Sequence, residues 1–307
     1  MGHRMRTAIQ YELGGPEVIR IVEADRPEPR AGEVLVHVRA ASVNFGETKV
    51  RSGVAEVGPP PFTLGSDLSG VVEQVGAGVG DFAPGDQVYG VFLIGTYADY
   101  VAVPAVNLAR KPAGIDHVQA AALPVAALTA LRAAETAGDL RGRRILIHAA
   151  AGGVGHLAVQ LAKLRGAHVL ATARADKHDF LRGLGVDEPI DYTTHDFTQV
   201  ARDVDVVFDL VGGDYGKRSL ESLRPGGLLL GATLHPGVTE QDARDRGRRY
   251  TWVSLGTEGR ELDRISALVS AGHVRPHIER TFPLTELVQA HELVETGRVT
   301  GKVVITL

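Results

Sequence analysis

The stretch of this sequence best suited to chemistry is Ala150–Gly155, which reads Ala-Ala-Gly-Gly-Val-Gly. It directly follows the apolar segment RRILIHA, which predicts a buried parallel strand. Gly152 and Gly153 would let the backbone approach a pyrophosphate at the N-terminus of the next helix. Gly155 would allow that helix to pack closely on the strand. The turn therefore predicts dinucleotide binding, and the alternative is a glycine turn that serves packing alone.

Ala150 stands where the dinucleotide fingerprint has its first glycine, and we expect its methyl group to be a mild perturbation. The residues after the turn predict a helix, because apolar side chains recur at helical spacing and form one buried stripe. These are Val154, Leu157, Ala158, Leu161 and Ala162. The predicted cofactor contacts of the turn are Ala150, Gly152, Gly153, Val154 and Gly155.

The residue at the end of the next strand should indicate which dinucleotide binds. An acidic residue there binds the ribose of NAD, whereas an arginine suits the 2′-phosphate of NADP. Arg174 stands there, 19 residues after Gly155, with Lys177 following it and no acid at the strand end. A guanidinium matches phosphate oxygens in pairs, and lysine adds a point charge. The pattern predicts NADPH, against the alternative of solvated charges at the start of a helix.

The elements that must position these residues fall into two patterns. Up to about residue 115, short alternating strands are separated by Gly and Pro, which predicts a small antiparallel barrel. From about Asp116, strands and helices alternate, which predicts a doubly wound parallel sheet. The final strand, KVVITL, is expected to return to the first domain. We predict an α/β protein with one domain at 1–117 together with 259–307, and a dinucleotide-binding domain at 118–258.

The composition restricts the function further. The chain has 307 residues, a net charge of −4 and no cysteine. Neither a nucleic-acid surface nor a membrane contact is expected at this charge, and no apolar run is long enough to span a bilayer. The absence of cysteine excludes disulfides, thiolate nucleophiles and cysteine-based zinc sites. The N-terminus lacks the apolar core of a signal peptide, so we expect a cytoplasmic protein.

Several motifs together resemble the zinc-independent quinone oxidoreductases of the medium-chain dehydrogenase/reductase superfamily. They run through the chain in the expected order: ASVNFGETKVRSG, LGSDLSGVV, LPVAALTAL, HAAAGGVGHLAVQLAK, IDYTTHDF, VFDLVGG and GKVVI. The resemblance implies a GroES-like barrel joined to a Rossmann domain. It also implies direct hydride transfer from NADPH to a quinone or a related acceptor.

Zinc-dependent members of this superfamily hold their metal with two cysteines and a histidine. By motif these positions fall on Asn44, Ser66 and Val125, which are not a plausible zinc ligand set. We therefore predict no metal site. Without a Lewis acid an alkoxide is hard to stabilise, whereas charge from hydride addition to a conjugated acceptor delocalises into its carbonyl. The expected substrate is thus a quinone or the C=C bond of an α,β-unsaturated carbonyl.

The resemblance also implies two catalytic residues, Asn44 and Thr129, and a third candidate, Lys49, departs from the family pattern. Asn44 would lie beside the nicotinamide and donate to the substrate carbonyl, although an asparagine after a strand can simply stabilise a turn. The hydroxyl of Thr129 would approach the nicotinamide, or else bond within its own helix. Lys49 stands where related reductases often have a tyrosine. It would pair with an anionic group or protonate an enolate, or it would simply face water.

Further cofactor contacts are implied for Tyr192 and Arg298 near the adenosine end, and for Gly212 and Gly231 after strands of the Rossmann sheet. Asp67, the counterpart of an acid that supports the metal in zinc enzymes, is expected to order a loop between the barrel and the cleft.

Two surface features remain. Arg244, Arg246, Arg248 and Arg249 form a cluster that either faces solvent or contacts the phosphates of an acyl-CoA or a carrier-bound substrate. The segment RYTWVSL is expected to be the edge of the Rossmann sheet, and an exposed edge needs covering. A homodimer is therefore expected.

The sequence favours a metal-free, NADPH-dependent reductase of quinones or α,β-unsaturated carbonyls. One alternative is an enoyl-thioester reductase of lipid or polyketide metabolism. Another is an NADPH-binding redox sensor without turnover. A zinc alcohol dehydrogenase is a more distant alternative.

Overall fold

The structure is a computed structural model that describes residues 4–254 and 256–307. The strands, in chain order, are β1 (Arg4–Gln10), β2 (Ile19–Asp25), β3 (Glu33–Val43), β4 (Phe62–Thr63), β5 (Asp67–Val75), β6 (Gln87–Val91), β7 (Tyr100–Pro104), β8 (Leu108–Arg110), β9 (Arg144–Ile147), β10 (His168–Ala173), β11 (Glu188–Asp191), β12 (Val204–Asp209), β13 (Leu223–Gly231), β14 (Arg249–Trp252), β15 (Ile278–Pro283) and β16 (Lys302–Thr306).

Helices connect these strands. They are α1 (Phe45–Arg51), α2 (His117–Ala121), α3 (Pro124–Ala137), α4 (Gly155–Leu164), α5 (His178–Gly183), α6 (Phe197–Val200), α7 (Asp214–Ser222), α8 (Glu240–Asp245), α9 (Gly259–Ser270) and α10 (Leu287–Glu295). Among the described residues, no helix combines the length and the apolar character needed to cross a membrane.

The chain divides into two compact units, Met1–Leu128 with Gly256–Leu307, and Thr129–Leu255. The domain limits expected from the sequence, 117/118 and 258/259, remain a prediction.

The first unit is built around the long strand β3, which pairs with β5, β7 and β16 in antiparallel fashion. Val34, Val36 and Val38 alternate along β3 and are completely buried, as the apolar pattern predicts. The C-terminal strand β16 thus returns to the first unit. The neighbouring strands β15 and β16 run parallel, because α10 lies between them and serves as a crossover.

The second unit contains a parallel sheet with the order β11-β10-β9-β12-β13-β14 in the described residues. Helices follow most of its strands, which gives the predicted Rossmann-type architecture. The predicted buried stripe of α4 is largely confirmed, because Leu157, Ala158, Leu161 and Ala162 are all buried.

Candidate active site

The cofactor residues predicted in the second unit share one edge of its sheet. Since β9 to β13 are parallel, the segments that follow their carboxyl ends emerge on the same side. The residues at this edge are the glycine turn after β9, Arg174 and Lys177 after β10, Tyr192 after β11, Gly212 after β12 and Gly231 at the end of β13.

The glycine turn brings α4 unusually close to the strand before it. A Cβ atom on Gly155 would lie 2.4 Å from the Ala149 carbonyl oxygen and 2.6 Å from the Cα atom of Ala150, both of them backbone atoms. The turn is closed by the Gly152 N–H, which donates to the same Ala149 carbonyl at 3.0 Å. Gly152 and Gly153 remain partly exposed just before the helix N-terminus. This cradle fits a pyrophosphate.

The backbone strain of the turn lies one residue earlier than the sequence suggested. Ala149 has a φ of 47°, in the left-handed region that favours glycine. Ala150 is fully buried, and its N–H donates to the Thr172 carbonyl at 3.2 Å. The alanine at the fingerprint's first position is therefore a packed residue, and its neighbour takes the unusual conformation.

The end of β10 offers positive charge. Arg174 follows Ala173 directly, and its side chain is 48% exposed. Its Nε atom lies 3.9 Å from Asp176 Oδ1, a separation at which an exposed pair contributes little. Lys177 ends the short turn that Arg174 begins. These residues fit the 2′-phosphate of NADPH.

In the first unit, Asn44 begins α1 and lies in a dense polar cluster. Its Nδ2 atom donates to Glu47 Oε1 and to Asp67 Oδ2, both at 3.0 Å. Its Oδ1 atom accepts from Lys302 Nζ at 2.6 Å. An amide nitrogen has two protons, and both are directed at carboxylates. The expected donation to a substrate carbonyl is therefore at odds with this geometry, because only the second lone pair of Oδ1 is left.

Glu47 is a buried carboxylate whose four partners are all donors. Its oxygens accept from the Tyr97 hydroxyl, the Ser66 N–H at 2.9 Å, and the Asn44 N–H at 3.1 Å and side chain. Burial raises the pKa of Glu47, and these hydrogen bonds oppose the increase.

Asp67 is completely buried at the start of β5. Its carboxylate accepts from Ser42 Oγ at 2.5 Å and from the Val125 N–H at 2.7 Å. Val125 lies in the first turn of α3, so Asp67 satisfies one of the N–H groups that a helix N-terminus leaves unpaired. Asp67 therefore joins strands to a helix, where the sequence suggested that it orders a loop.

Lys302 is a residue that the sequence interpretation missed. Its side chain is 3% exposed, and its Nζ atom lies 3.3 Å from Asp67 Oδ2 in addition to its bond with Asn44. The signal was present, because a lysine opens the otherwise apolar strand KVVIT.

The positions that match zinc ligands offer an unsuitable donor set. Asn44 is bonded to an ammonium group, Ser66 Oγ donates to the Leu93 carbonyl at 3.2 Å, and Val125 has no ligating atom. Across residues 4–254 and 256–307, no group of three or more His, Cys, Asp or Glu side chains could hold a metal ion. These residues do not fit zinc.

The other predicted residues have less specific surroundings. Lys49 is partly exposed, and its Nζ atom lies 4.5 Å from the centroid of the exposed Phe45 ring. Thr129 is buried within α3. Arg298 is exposed in the turn between α10 and β16.

The arginine cluster is largely engaged within its own unit. Arg244 pairs with Glu240 at 3.0 Å. Arg248 Nε donates to the Leu223 carbonyl at 2.8 Å, and Arg249 Nε donates to the Gly226 carbonyl at 3.2 Å. These contacts favour a structural surface over a phosphate site.

Two family models match the chain. Residues 30–113 match the alcohol dehydrogenase GroES-like domain, and residues 184–305 match the zinc-binding dehydrogenase model.

Curated relatives match over most of their length. The mitochondrial NAD(P)H oxidoreductase RTN4IP1 of Mus musculus is 35% identical over 90% of this chain and 82% of its own. The chloroplastic NADPH-dependent alkenal/one oxidoreductase of Arabidopsis thaliana is 34% identical, with 98% and 79% covered. The 2-haloacrylate reductase of a Burkholderia species is 32% identical, with 97% and 98% covered.

Solved structures of quinone oxidoreductases have the same fold as this chain. The quinone oxidoreductase from Coxiella burnetii superposes with a TM-score of 0.96 at 38% identity, covering 99% of this chain and 100% of that one. The Escherichia coli quinone oxidoreductase complexed with NADPH gives a TM-score of 0.92 at 29% identity, with 99% and 100% covered. The chain is therefore an oxidoreductase of the medium-chain dehydrogenase/reductase superfamily and belongs to its family of quinone and alkenal oxidoreductases.

Proposed function

We propose that this protein uses NADPH to reduce a quinone or the C=C bond of an α,β-unsaturated carbonyl compound. The observation that carries the choice of acceptor is the donor set at the zinc-ligand positions, an amide, a hydroxyl and an alkyl group beside a buried ammonium. With no Lewis acid held there, a conjugated acceptor is favoured because its own carbonyl delocalises the developing charge.

The second unit supplies the cofactor contacts of this proposal. The backbone of Ala150 to Gly155 receives the pyrophosphate, and Arg174 with Lys177 receives the 2′-phosphate. When bound, NADPH supplies the hydride. The remaining proposed contacts of this unit are Tyr192, Gly212 and Gly231, and Arg298 of the first unit is proposed as a further contact.

Three residues are proposed to act on the acceptor side. The Lys49 ammonium, which forms no ion pair within the described residues, would stabilise the carbonyl oxygen that becomes negative or return a proton to the α-carbon. The Thr129 hydroxyl would orient the reacting groups. Asn44 Oδ1 would accept a hydrogen bond from a hydroxyl or an amide N–H of a bound ligand, because both Nδ2 protons are directed at Glu47 and Asp67.

The test is NADPH consumption against a panel of quinones, enals and enoyl thioesters, with NADH run in parallel. We expect turnover with quinones or enals. Turnover with thioesters alone would favour the enoyl-thioester alternative. NADPH binding without turnover on any acceptor would contradict the proposal and favour a redox sensor.

The NADPH preference has its own test in Arg174→Ala. Losing a charge-assisted contact of about 1.5–3 kcal/mol should weaken NADPH about 10- to 100-fold and leave NADH nearly unchanged. Arg182→Ala is a matched control, because Arg182 is an exposed arginine paired with Asp179 on α5. Equal use of both cofactors by the unaltered protein would contradict the preference.

We also propose a homodimer and a cytoplasmic location. Among the relatives, the mouse protein is mitochondrial and the Arabidopsis protein chloroplastic, so the location needs its own test by cell fractionation.

A further inference from the structure

Lys302, in the motif GKVVI, is one of the most deeply buried charged groups of the first unit, with 3% of its side chain exposed. Lysine is rarely this buried unless it is paired. Here it donates to Asn44 Oδ1 at 2.6 Å and lies 3.3 Å from Asp67 Oδ2. Asn44 is 258 positions away in the sequence, so only the fold brings the two together.

The charges around Asn44 explain why a cation is retained there. Glu47 and Asp67 are both buried acidic side chains, and each accepts hydrogen bonds from a backbone N–H and a hydroxyl group. Both accept from the single amide nitrogen of Asn44. Two buried like charges this close would be costly alone, and the Lys302 ammonium compensates one of them.

The same charges fix the orientation of the Asn44 amide. A flip would turn its oxygen toward two carboxylates and its NH₂ group toward an ammonium, which reverses three favourable contacts. The amide is therefore held with Nδ2 toward Glu47 and Asp67 and with Oδ1 toward Lys302. What remains for an external partner is the second lone pair of Oδ1.

We infer that Lys302 is a positioning residue, which holds Asn44 so that its side chain meets the cofactor or the acceptor as a hydrogen-bond acceptor. The ligand group it fits is a hydroxyl or an amide N–H. This inference rests on the proposed reductase function, because Asn44 is taken there as a residue that touches a ligand.

The test is a double-mutant cycle with Lys302→Met, Asn44→Ala and both together, followed in kcat, in KM for the acceptor and in NADPH affinity by fluorescence titration. We expect Lys302→Met to lower kcat or affinity about 10- to 100-fold, and the double variant to be no worse than Asn44→Ala. If the effects of the two substitutions on NADPH affinity are non-additive, the hydroxyl or N–H that donates to Asn44 belongs to the cofactor. Coupling confined to kcat or the acceptor's KM would assign it to the acceptor.

Arg51→Met provides the matched control. Arg51 is an equally buried cation of this unit, 1% exposed and 2.5 Å from Glu295, and no hydrogen bond links it to Asn44. The effects of Arg51→Met and Asn44→Ala should be independent, so the double variant should show the product of the two single fold-changes. If the Lys302 and Asn44 effects multiply in the same way, Lys302 is merely structural and the inference is overturned. Lys302→Arg, which keeps a cation, should recover part of the loss.

If Lys302→Met does not fold, the double variant Lys302→Met with Asp67→Asn replaces it in the cycle, because this variant removes one charge of each sign. If no acceptor is reduced, the proposed function fails while NADPH affinity still reports on Lys302, where coupling supports the positioning role and its absence overturns it.

Discussion

At the scale of single residues, His148 shows how strongly this fold controls protonation. It follows β9 and is completely buried, with Nδ1 3.0 Å from Thr172 Oγ1 and Nε2 3.1 Å from Ser219 Oγ. Burial, followed by the nearby Arg218, lowers the pKa of His148 from 6.5 to about 3. The neutral ring therefore links His148, two residues before the glycine turn, to β10 and α7.

A pH dependence of stability follows. Between about pH 6.5 and 3 the unfolded chain binds a proton at His148 that the folded chain does not, so the free energy of unfolding should fall as the pH is lowered. The slope from this one group approaches about 1.4 kcal/mol per pH unit. Denaturant unfolding between pH 7 and 5 should show a shallower dependence for His148→Gln than for the unaltered protein.

His291, whose pKa is likewise lowered to about 3 by burial, should act in the same direction. Glu47, whose pKa is raised, acts in the opposite direction, but it is present in both proteins and cancels in the difference. Parallel slopes for the two proteins would contradict a buried neutral His148.

Asn44 marks the limit of prediction from residue types. Its place at the start of α1 follows from a local pattern with Glu47 three residues later. The hydrogen bonds that its amide oxygen and nitrogen form depend on Lys302 and Asp67, which belong to distant strands. The family resemblance therefore indicated the residue, and the donor role that it implied is at odds with the hydrogen bonds that Nδ2 forms with Glu47 and Asp67.

At the scale of elements, the strand β9, its turn and the helix α4 form the unit on which the cofactor proposal depends. Its strand, turn and helix could be predicted because each is determined by neighbouring residues. Short elements could not be predicted in this way. The strand β11 has only four residues and contains a proline, and it is a strand because it pairs with β10 in the sheet.

Gly155→Ala tests this unit. The added Cβ would meet backbone atoms at 2.4 and 2.6 Å, so α4 must shift. We expect a loss of about 1–3 kcal/mol in the free energy of unfolding and weaker NADPH binding. Denaturant titration and fluorescence titration measure the two effects.

Gly183→Ala is the control. Gly183 lies in α5, is exposed, and a Cβ there would meet nothing within 4 Å. The change should be neutral or stabilise by up to about 1 kcal/mol. Equal behaviour of the two variants would show that α4 does not depend on close packing at Gly155.

At the scale of the whole molecule, β14 is the open edge of the second unit's sheet. Trp252 on this strand is 52% exposed, and most of the strand's other residues are exposed too. A solvent-exposed strand edge can pair with another chain. The expectation of an edge strand is confirmed for Arg249–Trp252, whereas Leu255 of the predicted segment lies outside the described residues. The homodimer stays a prediction.

Analytical ultracentrifugation tests that prediction. The unaltered protein should sediment as a dimer, and Trp252→Lys should shift it toward monomer, because a charge on an edge strand opposes pairing. Val106→Lys makes the same kind of change at a site in the first unit that is 74% exposed, and it should leave the dimer intact. A monomeric unaltered protein, or a dimer insensitive to Trp252→Lys, would exclude pairing through β14.

The sequence by itself determined the class of fold, the dinucleotide turn and the charge at the end of β10, because each rests on local periodicity or on a few adjacent residues. Tertiary structure decided the polar cluster of Asn44, Glu47, Asp67 and Lys302, since hydrogen bonds between residues up to 258 positions apart exist only after the strands have paired. It also decided that Ala150, the first alanine of the turn, is packed, while Ala149 just before it takes the left-handed conformation. Residue types and local spacing can therefore identify residues of a site. Which atoms donate and which accept depends on neighbours that are distant in the sequence.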